Sequence, residues 1–287
     1  MQKIGCVITI FFIFSFLAFL GDISAQAKCT QVIGQGSQTV TLATGSPGEL
    51  GLLQVLGEAF SKQSGVSLCW VKAGSGEAMR LLQKKDVEVI IAHDPPAEKK
   101  AVQDGWAAGR RLFGSNEFYL VGPASDPAGV SQASGVLTAF KAIAEKKALF
   151  VSRGDRSGTH QKEMEIWGKA GIRPEGSWYV ETRDFMLASL KRADKDKGYF
   201  LTDSPTWISA KAQLPNLKLL FQGDPLLINP YHTLLRAETA QDPNSLGVRF
   251  VDFLLSDQGQ QLLRDFGKDR FGQGLYLDAR STKLSAD

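Results

Sequence analysis

The sequence predicts an α/β protein of two lobes, each a mainly parallel sheet flanked by helices, with two chain crossings forming a hinge between them. Three observations carry this reading. Strand-like and helix-like runs alternate along most of the chain, as parallel sheets with crossover helices require. The strand-to-helix junctions at 44–49, 72–77 and 152–160 are rich in glycine and hydroxyl side chains. Finally, a stretch from Leu226 to Arg236 follows the second α/β unit and is placed to return the chain to the first.

The 287 residues suit one or two domains, and 43% hydrophobic with 22% charged residues is ordinary for a soluble globular chain. A net charge of +3, with no basic run interleaved by aromatics, argues against a nucleic-acid partner. Lys3 precedes a fourteen-residue apolar run, Val7 to Leu20, too short for a comfortable membrane span but suited to a signal-peptide core. Ala25-Gln26-Ala27 supplies a small-x-small cleavage site, so residues 1–27 are read as a signal peptide and the mature protein as exported. Lys28 before Cys29 departs from the small residue that lipidation requires. Cys6 leaves with the signal, and Cys29 and Cys69 remain. An exported protein can use such an even pair as a disulfide, worth roughly 4 kcal/mol in the chain-entropy model; the alternative is two separate thiols. Three histidines and two mature cysteines show no metal-ligand spacing, and no motif calls for a cofactor.

Thr39–Ala43 reads as a strand entering Thr44-Gly45-Ser46-Pro47-Gly48-Glu49. Ser46 with Glu49 has capping-box spacing, Pro47 suits the first helical position, and Leu50 to Phe60 continues with helical periodicity. Val66–Val71, the glycine-rich turn 72–77, a helix from Ala78 and a strand at Val87–Ile91 repeat the plan. Both turns then open at one sheet edge, beyond the strands' carboxyl ends, where open α/β sheets bind ligands. His93-Asp94-Pro95-Pro96 reads as a packed turn rather than an acid–base pair. Strands at 117–123, 148–151, 177–180, 198–201 and 217–221, with helices at 136–147, 158–169, 183–194 and 204–210, make the second unit. Thr182 is its expected cap for the 183–194 helix. Two amphipathic helices, 244–255 and 257–266, read as braces for the first lobe. Lobe 1 is therefore 28–118 plus 226–287, and lobe 2 is 119–225. The five tryptophans (Trp70, Trp106, Trp167, Trp178 and Trp207) read as packing residues.

The chemistry concentrates in Ser152-Arg153-Gly154-Asp155-Arg156-Ser157-Gly158-Thr159-His160. Helix first turns have unpaired N–H groups and positive potential; the glycines allow close approach, Ser157 and Thr159 add donors, and Arg153 adds a permanent cation. This suits a small oxyanion. The plainer reading is that Ser157 or Thr159 merely caps the helix. Ser157 and His160, with Asp155 close by, also admit a remote serine-hydrolase reading, but no Gly-x-Ser-x-Gly elbow supports it. Arg153-Gly154-Asp155 is an adhesion tripeptide that the anion reading uses better.

These residues resemble the periplasmic tungstate-binding proteins of ABC importers, within the molybdate- and phosphate-type solute receptors. The resemblance runs from about Thr39 to Gln260 and is strongest in the 152–160 motif, with support from Val121-Gly122-Pro123, Trp178-Tyr179, Gly74-Ser75-Gly76 and Ser256-x-x-Gly259-Gln260. It implies a type II two-lobed solute-binding fold, no catalysis, no cofactor, and a monomer that delivers a tetrahedral oxyanion, tungstate or molybdate, to an importer permease. Phosphate or a small organic acid, for import or for sensing, is the alternative. The implied ligand residues are Thr44, Gly45 and Ser46, then Ser75, then Arg153, Ser157, Gly158 and Thr159. Glu49, Arg183 and Asp184 are possible additions: the family's Thr-Thr-Thr-Ser and Gly-x-Gly-Met runs are here replaced by Thr44–Glu49 and Thr182–Met186. The capping box would occupy the Glu49 carboxylate; otherwise it would face the ligand and favour one carrying a proton.

Overall fold

The computed structural model describes residues 27–283, so most of the expected 1–27 leader lies outside the described residues. The first half contains β1 (Gln31–Ile33), β2 (Gln38–Thr44), α1 (Ser46–Glu49), α2 (Leu52–Ser64), β3 (Val66–Lys72), α3 (Ser75–Gln83), β4 (Val89–Ala92) and α4 (Pro95–Gln103). A long β5 (Ala107–Pro123) leads to α5 (Val136–Glu145), β6 (Phe150–Ser152), α6 (Gly158–Lys169), β7 (Tyr179–Glu181), α7 (Met186–Asp196), β8 (Tyr199–Asp203), α8 (Ser204–Ala210) and β9 (Leu217–Phe221). The chain ends with β10 (Ile228–Arg236), α9 (Leu246–Leu255), α10 (Asp257–Asp265), α11 (Lys268–Phe271) and β11 (Leu277–Asp278).

β2 lies parallel between β3 and β4, with Thr41 beside Cys69 and Leu42 beside Val89. The crossovers through α2 and α3 enforce that direction, and both faces of β3 and β4 are buried, so β4 is apolar throughout and β3 is apolar apart from Ser67 and the terminal Lys72. In the second half β6 is parallel to β7 and β8. The two parallel cores are joined by antiparallel crossing strands, in the order β1-β3-β2-β4-β10-β5-β8-β6-β7. β5 pairs with β10 as far as Glu117, opposite Ile228, and from Phe118 onward pairs with β8 and β9. One strand thus belongs to both sheets.

Helices cover each sheet on both faces. Leu52, Leu56 and Phe60 of α2 pack with Phe250 and Leu254 of α9 on one face of the first sheet, and Ala78, Leu81 and Leu82 of α3 pack on the other. Phe140 of α5 meets Ile166 and Trp167 of α6 on one face of the second sheet, and Met186, Leu190 and Trp207 cover the opposite face. The tryptophans lie in or against these cores, as expected, and α9 and α10 brace the first half. No helix among the described residues is long and apolar enough to cross a membrane.

Cys29 and Cys69 are bridged, with Cα atoms 5.3 Å apart and a sequence separation of 40. The bridge fastens the segment before β1 to the middle of β3. A Cys29→Ser/Cys69→Ser chain should unfold in chemical denaturant with a stability lower by about 4 kcal/mol, the loop-entropy value for a ring of this size.

Three local expectations are corrected. The helix after Pro47 is broken at Gly51, whose φ of 92° is left-handed, so α1 is a separate four-residue turn. His93–Pro96 is no mere turn: Asp94 caps α4, accepting from the Ala97 N–H, with prolines in the first helical positions. Thr182 does not cap α7, which begins after Phe185; its hydroxyl bonds the Ser152 carbonyl and Ser189 Oγ instead.

Candidate functional site

Loops from the two sheets come into close contact. A methyl group placed on Gly74 would lie 3.2 Å from Ser157 Cβ, and one on Gly76 would lie 2.8 Å from the Arg156 carbonyl oxygen. One placed on Gly158 would lie 2.7 Å from His93 Cε1, Nδ1 and O. Ser46 Oγ donates to Asp203 Oδ2 at 2.9 Å, joining the loop after β2 to the end of β8. The N-termini of α3 and α6, nine and twelve residues long, therefore face each other with Arg153 beside them.

The 152–159 loop is shaped by its own side chains. Gly154 and Arg156 take left-handed backbone conformations, φ 61° and 59°. Asp155 Oδ1 accepts from the Ser157 N–H at 3.0 Å, and its Oδ2 pairs with Arg153 at 2.5 Å. Arg153 is 4% exposed, and its Nε donates to the Asp184 carbonyl at 3.2 Å. Ser157 is the N-cap of α6, its Oγ accepting from the His160 N–H at 3.4 Å. Capping and a site at the helix start thus coexist, because a hydroxyl that accepts from the backbone still has its own proton to give.

That proton is the useful count at each hydroxyl. Thr44 Oγ1 has committed its proton to the Ile91 carbonyl, and Ser46 has committed its own to Asp203. Ser75 Oγ accepts from the His93 N–H at 3.1 Å, so its proton, like that of Ser157, is not spent by that bond. Thr159 Oγ1 is buried with no hydrogen-bond partner, an arrangement native proteins rarely leave without a reason. Gly158 and Thr159 also supply the first N–H groups of α6, which have no acceptor within the helix. Gly45 is the N-cap of α1 and brings its short turn over Trp70, whose Nε1 donates to the Thr44 carbonyl.

The three possible additions lie beside these loops with their charged groups already engaged. Glu49 makes no capping bond to Ser46; it pairs with Lys72 at 2.6 Å, which corrects the capping-box expectation. Lys72 in turn lies 3.9 Å from the centre of the Phe185 ring. Arg183 is exposed and pairs with Glu181, and the Asp184 carboxylate bonds the Phe185 N–H. Both line a pocket of about 180 Å³ at the edge of the loops, with Lys72, Gly74, Asp155 and Phe185. His160 Nδ1 accepts from the Arg156 N–H at 3.0 Å, so this imidazole nitrogen is turned to the backbone rather than to Ser157.

Reasoning from sequence missed a second layer beside the loops. Asn116 of β5 is in register with Asn229 of β10, and Asn229 Nδ2 donates to Asn116 Oδ1 at 2.7 Å and to the Tyr231 hydroxyl at 3.2 Å. His93 stacks on Tyr231, and its Nδ1 lies 2.9 Å from Asn229 Oδ1. Loss of solvent pushes the His93 pKa down to about 4, so the ring is neutral and Nδ1 carries the donated proton. Asp203 is fully buried, and burial raises its pKa against the opposing hydrogen bonds from Thr206 and Ser46. The only sequence cue to this layer was the placement of Asn229-Pro230-Tyr231 on a crossing segment.

A family profile described as a PBP superfamily domain matches residues 30–258. The chain is 34% identical over 247 residues to the tungstate-binding protein TupA of Peptoclostridium acidaminophilum, covering 84% of this chain and 86% of that one. Among solved structures, a tungstate ABC transporter structure from Geobacter sulfurreducens superposes with a TM-score of 0.71 at 34% identity, over 80% of this chain and all of that one. The tungstate-binding protein TupA from Desulfovibrio alaskensis G20 gives 0.69 at 34% identity, over 84% of this chain and 99% of that one. The chain belongs to the PBP superfamily and, within it, to the family of these TupA relatives.

Proposed function

We propose that this chain is an extracytoplasmic receptor that captures a small tetrahedral oxyanion, tungstate or molybdate, and delivers it to an ABC importer. Residues 28–118 with 226–287 form one lobe and 119–225 the other, closing on the anion about β5 and β10. The observation that carries the reading is the Thr159 hydroxyl, buried and without a partner on the first turn of α6, in the loop that also carries the buried Arg153. A fully deprotonated anion accepts only. Arg153, the hydroxyls of Ser75, Ser157 and Thr159, and the N–H groups of Gly158 and Thr159 can all donate to it. Thr44, Gly45 and Ser46 contribute the shape of the first loop more than free hydroxyl protons. The names of the relatives support the same class of ligand. The buried Asp203 carboxyl beside Ser46 favours a second reading, hydrogen phosphate, whose proton could meet an acceptor there.

Calorimetric titration of the mature protein with tungstate, molybdate, sulfate, phosphate and small organic acids tests the proposal. Tungstate or molybdate should bind tightest; a preference for phosphate would move the assignment to the second reading, and binding of none would overturn both. A Thr159→Val chain should separate site from scaffold. Removing an unsatisfied buried hydroxyl should leave the ligand-free protein as stable or up to about 1 kcal/mol more so. The same change should weaken tungstate binding by roughly ten- to a hundredfold, the worth of one charge-assisted hydrogen bond.

A further inference from the structure

Glu163 lies one turn beyond Thr159 on α6, is 1% exposed, and has no role in the site described above. Its Oε2 accepts from Ser152 Oγ at 2.8 Å; its Oε1 accepts from the Tyr179 hydroxyl at 2.7 Å and from Trp167 Nε1 at 3.3 Å. Ser152 Oγ accepts in turn from the Gly154 N–H at 3.2 Å. Two hydrogen bonds therefore connect the Glu163 carboxyl to the turn that presents Arg153. None of its three partners is a cation. Glu181 at the end of β7 is the other charged group that bears on it, and His160 stands one turn earlier on α6. Burial raises the Glu163 pKa to about 7 against the opposing hydrogen bonds from Tyr179, Ser152 and Trp167, with Glu181 adding a smaller push in the same direction as burial.

We propose that Glu163 is a proton-coupled positioning residue: capture of a dianion at Thr159 and Arg153 favours the protonated Glu163 carboxyl and so draws protons from solvent, and in its neutral form the carboxyl holds the anion loop through Ser152. This rests on the oxyanion reading above. A dianion on Thr159 is one turn away, about 6 Å along the helix axis, across protein rather than water. An ionised carboxylate there repels it, and a neutral acid does not. The hydrogen bonds survive protonation, because a protonated Oε2 can donate to Ser152 Oγ while that oxygen still accepts from Gly154. The bound state therefore holds more protons than the free state, and affinity must rise as pH falls through 7.

The test is titration of the wild-type and Glu163→Gln proteins with sodium tungstate at pH 6 and pH 8, where tungstate stays a dianion. Wild type should bind about three- to tenfold tighter at pH 6. Repeating the pH 7 titration in two buffers of different ionisation heat should show net proton uptake. Glutamine mimics the neutral acid, so the variant should bind at pH 8 about as tightly as wild type does at pH 6, with the pH dependence and the uptake both lost. A wild-type affinity that is flat or falls towards pH 6, absent uptake, or a variant that keeps the wild-type profile would each overturn the proposal. The uptake measurement stands even if the variant fails to fold. Should tungstate bind wild type at neither pH, the receptor reading falls first and this one with it; flat binding sinks only this one.

Discussion

An Arg153→Ala chain should bind tungstate at least a thousandfold more weakly than wild type, while its circular dichroism stays unchanged. Two effects add. The guanidinium is 4% exposed, so any charge-assisted hydrogen bonds it gives the anion form away from water, where each contributes roughly 1.5–3 kcal/mol. Removing it also strands Asp155, whose Oδ2 it pairs at 2.5 Å, as an unbalanced negative charge in the anion's own loop. Together these exceed the roughly 4 kcal/mol that a thousandfold change requires. Arg153→Lys is the informative companion. It keeps the charge but loses the planar fork that now serves Asp155 and the Asp184 carbonyl together, so it should recover only part of the loss. Wild-type affinity in the alanine variant would remove Arg153 from the site.

Gly158→Ala should cost about a hundredfold in tungstate affinity through a different cause, the fit between the two lobes. The added methyl would stand 2.7 Å from two ring atoms and the backbone oxygen of His93, and the backbone oxygen has nowhere to go. The ring is held as well, stacked on Tyr231 and bonded to Asn229. The lobes must therefore rest further apart, with α3 and the Ser75 hydroxyl drawn away from α6. Gly158 is the first residue of α6 and its φ is not in the left-handed region, so alanine carries no backbone penalty there and the ligand-free variant should be about as stable as wild type once the lobes part. Titration and small-angle scattering in the presence of tungstate check this together: weak binding with a radius of gyration above the wild-type value is expected. Tight binding at the wild-type radius would mean that His93 and Gly158 do not need to touch.

Much of the fold was legible because it is local. The strand-to-helix alternation, the three glycine-rich junctions and the start of α6 at Gly158 all follow from residues within a few positions of each other. The misreadings share one origin: local patterns were given local explanations. Ser46 and Glu49 have capping-box spacing, yet Lys72, at the end of a neighbouring strand, claims the carboxylate. Asp94-Pro95-Pro96 reads as a turn, yet the two prolines fill helical positions that need no N–H. The site divides in the same way. Arg153, Ser157 and Thr159 stand in one motif and were readable. That Thr44 and Ser46 have spent their protons was not, because Ile91 and Asp203 lie 47 and 157 residues away. Glu163 gave no signal either, being one of many acidic residues on a helix until Ser152, Tyr179 and Trp167 close around it.

β5 changes sheets between Glu117 and Phe118 without leaving the extended conformation. The two bodies are therefore joined by a continuous tape, held by β10 along its first half and flanked by β8 and β9 along its second. Such a joint resists stretching and lateral slip, and yields most readily by twisting about the strand's own axis. Any motion between the halves would thereby be confined to something near a single rotation, which would bring the facing loops back to the same register.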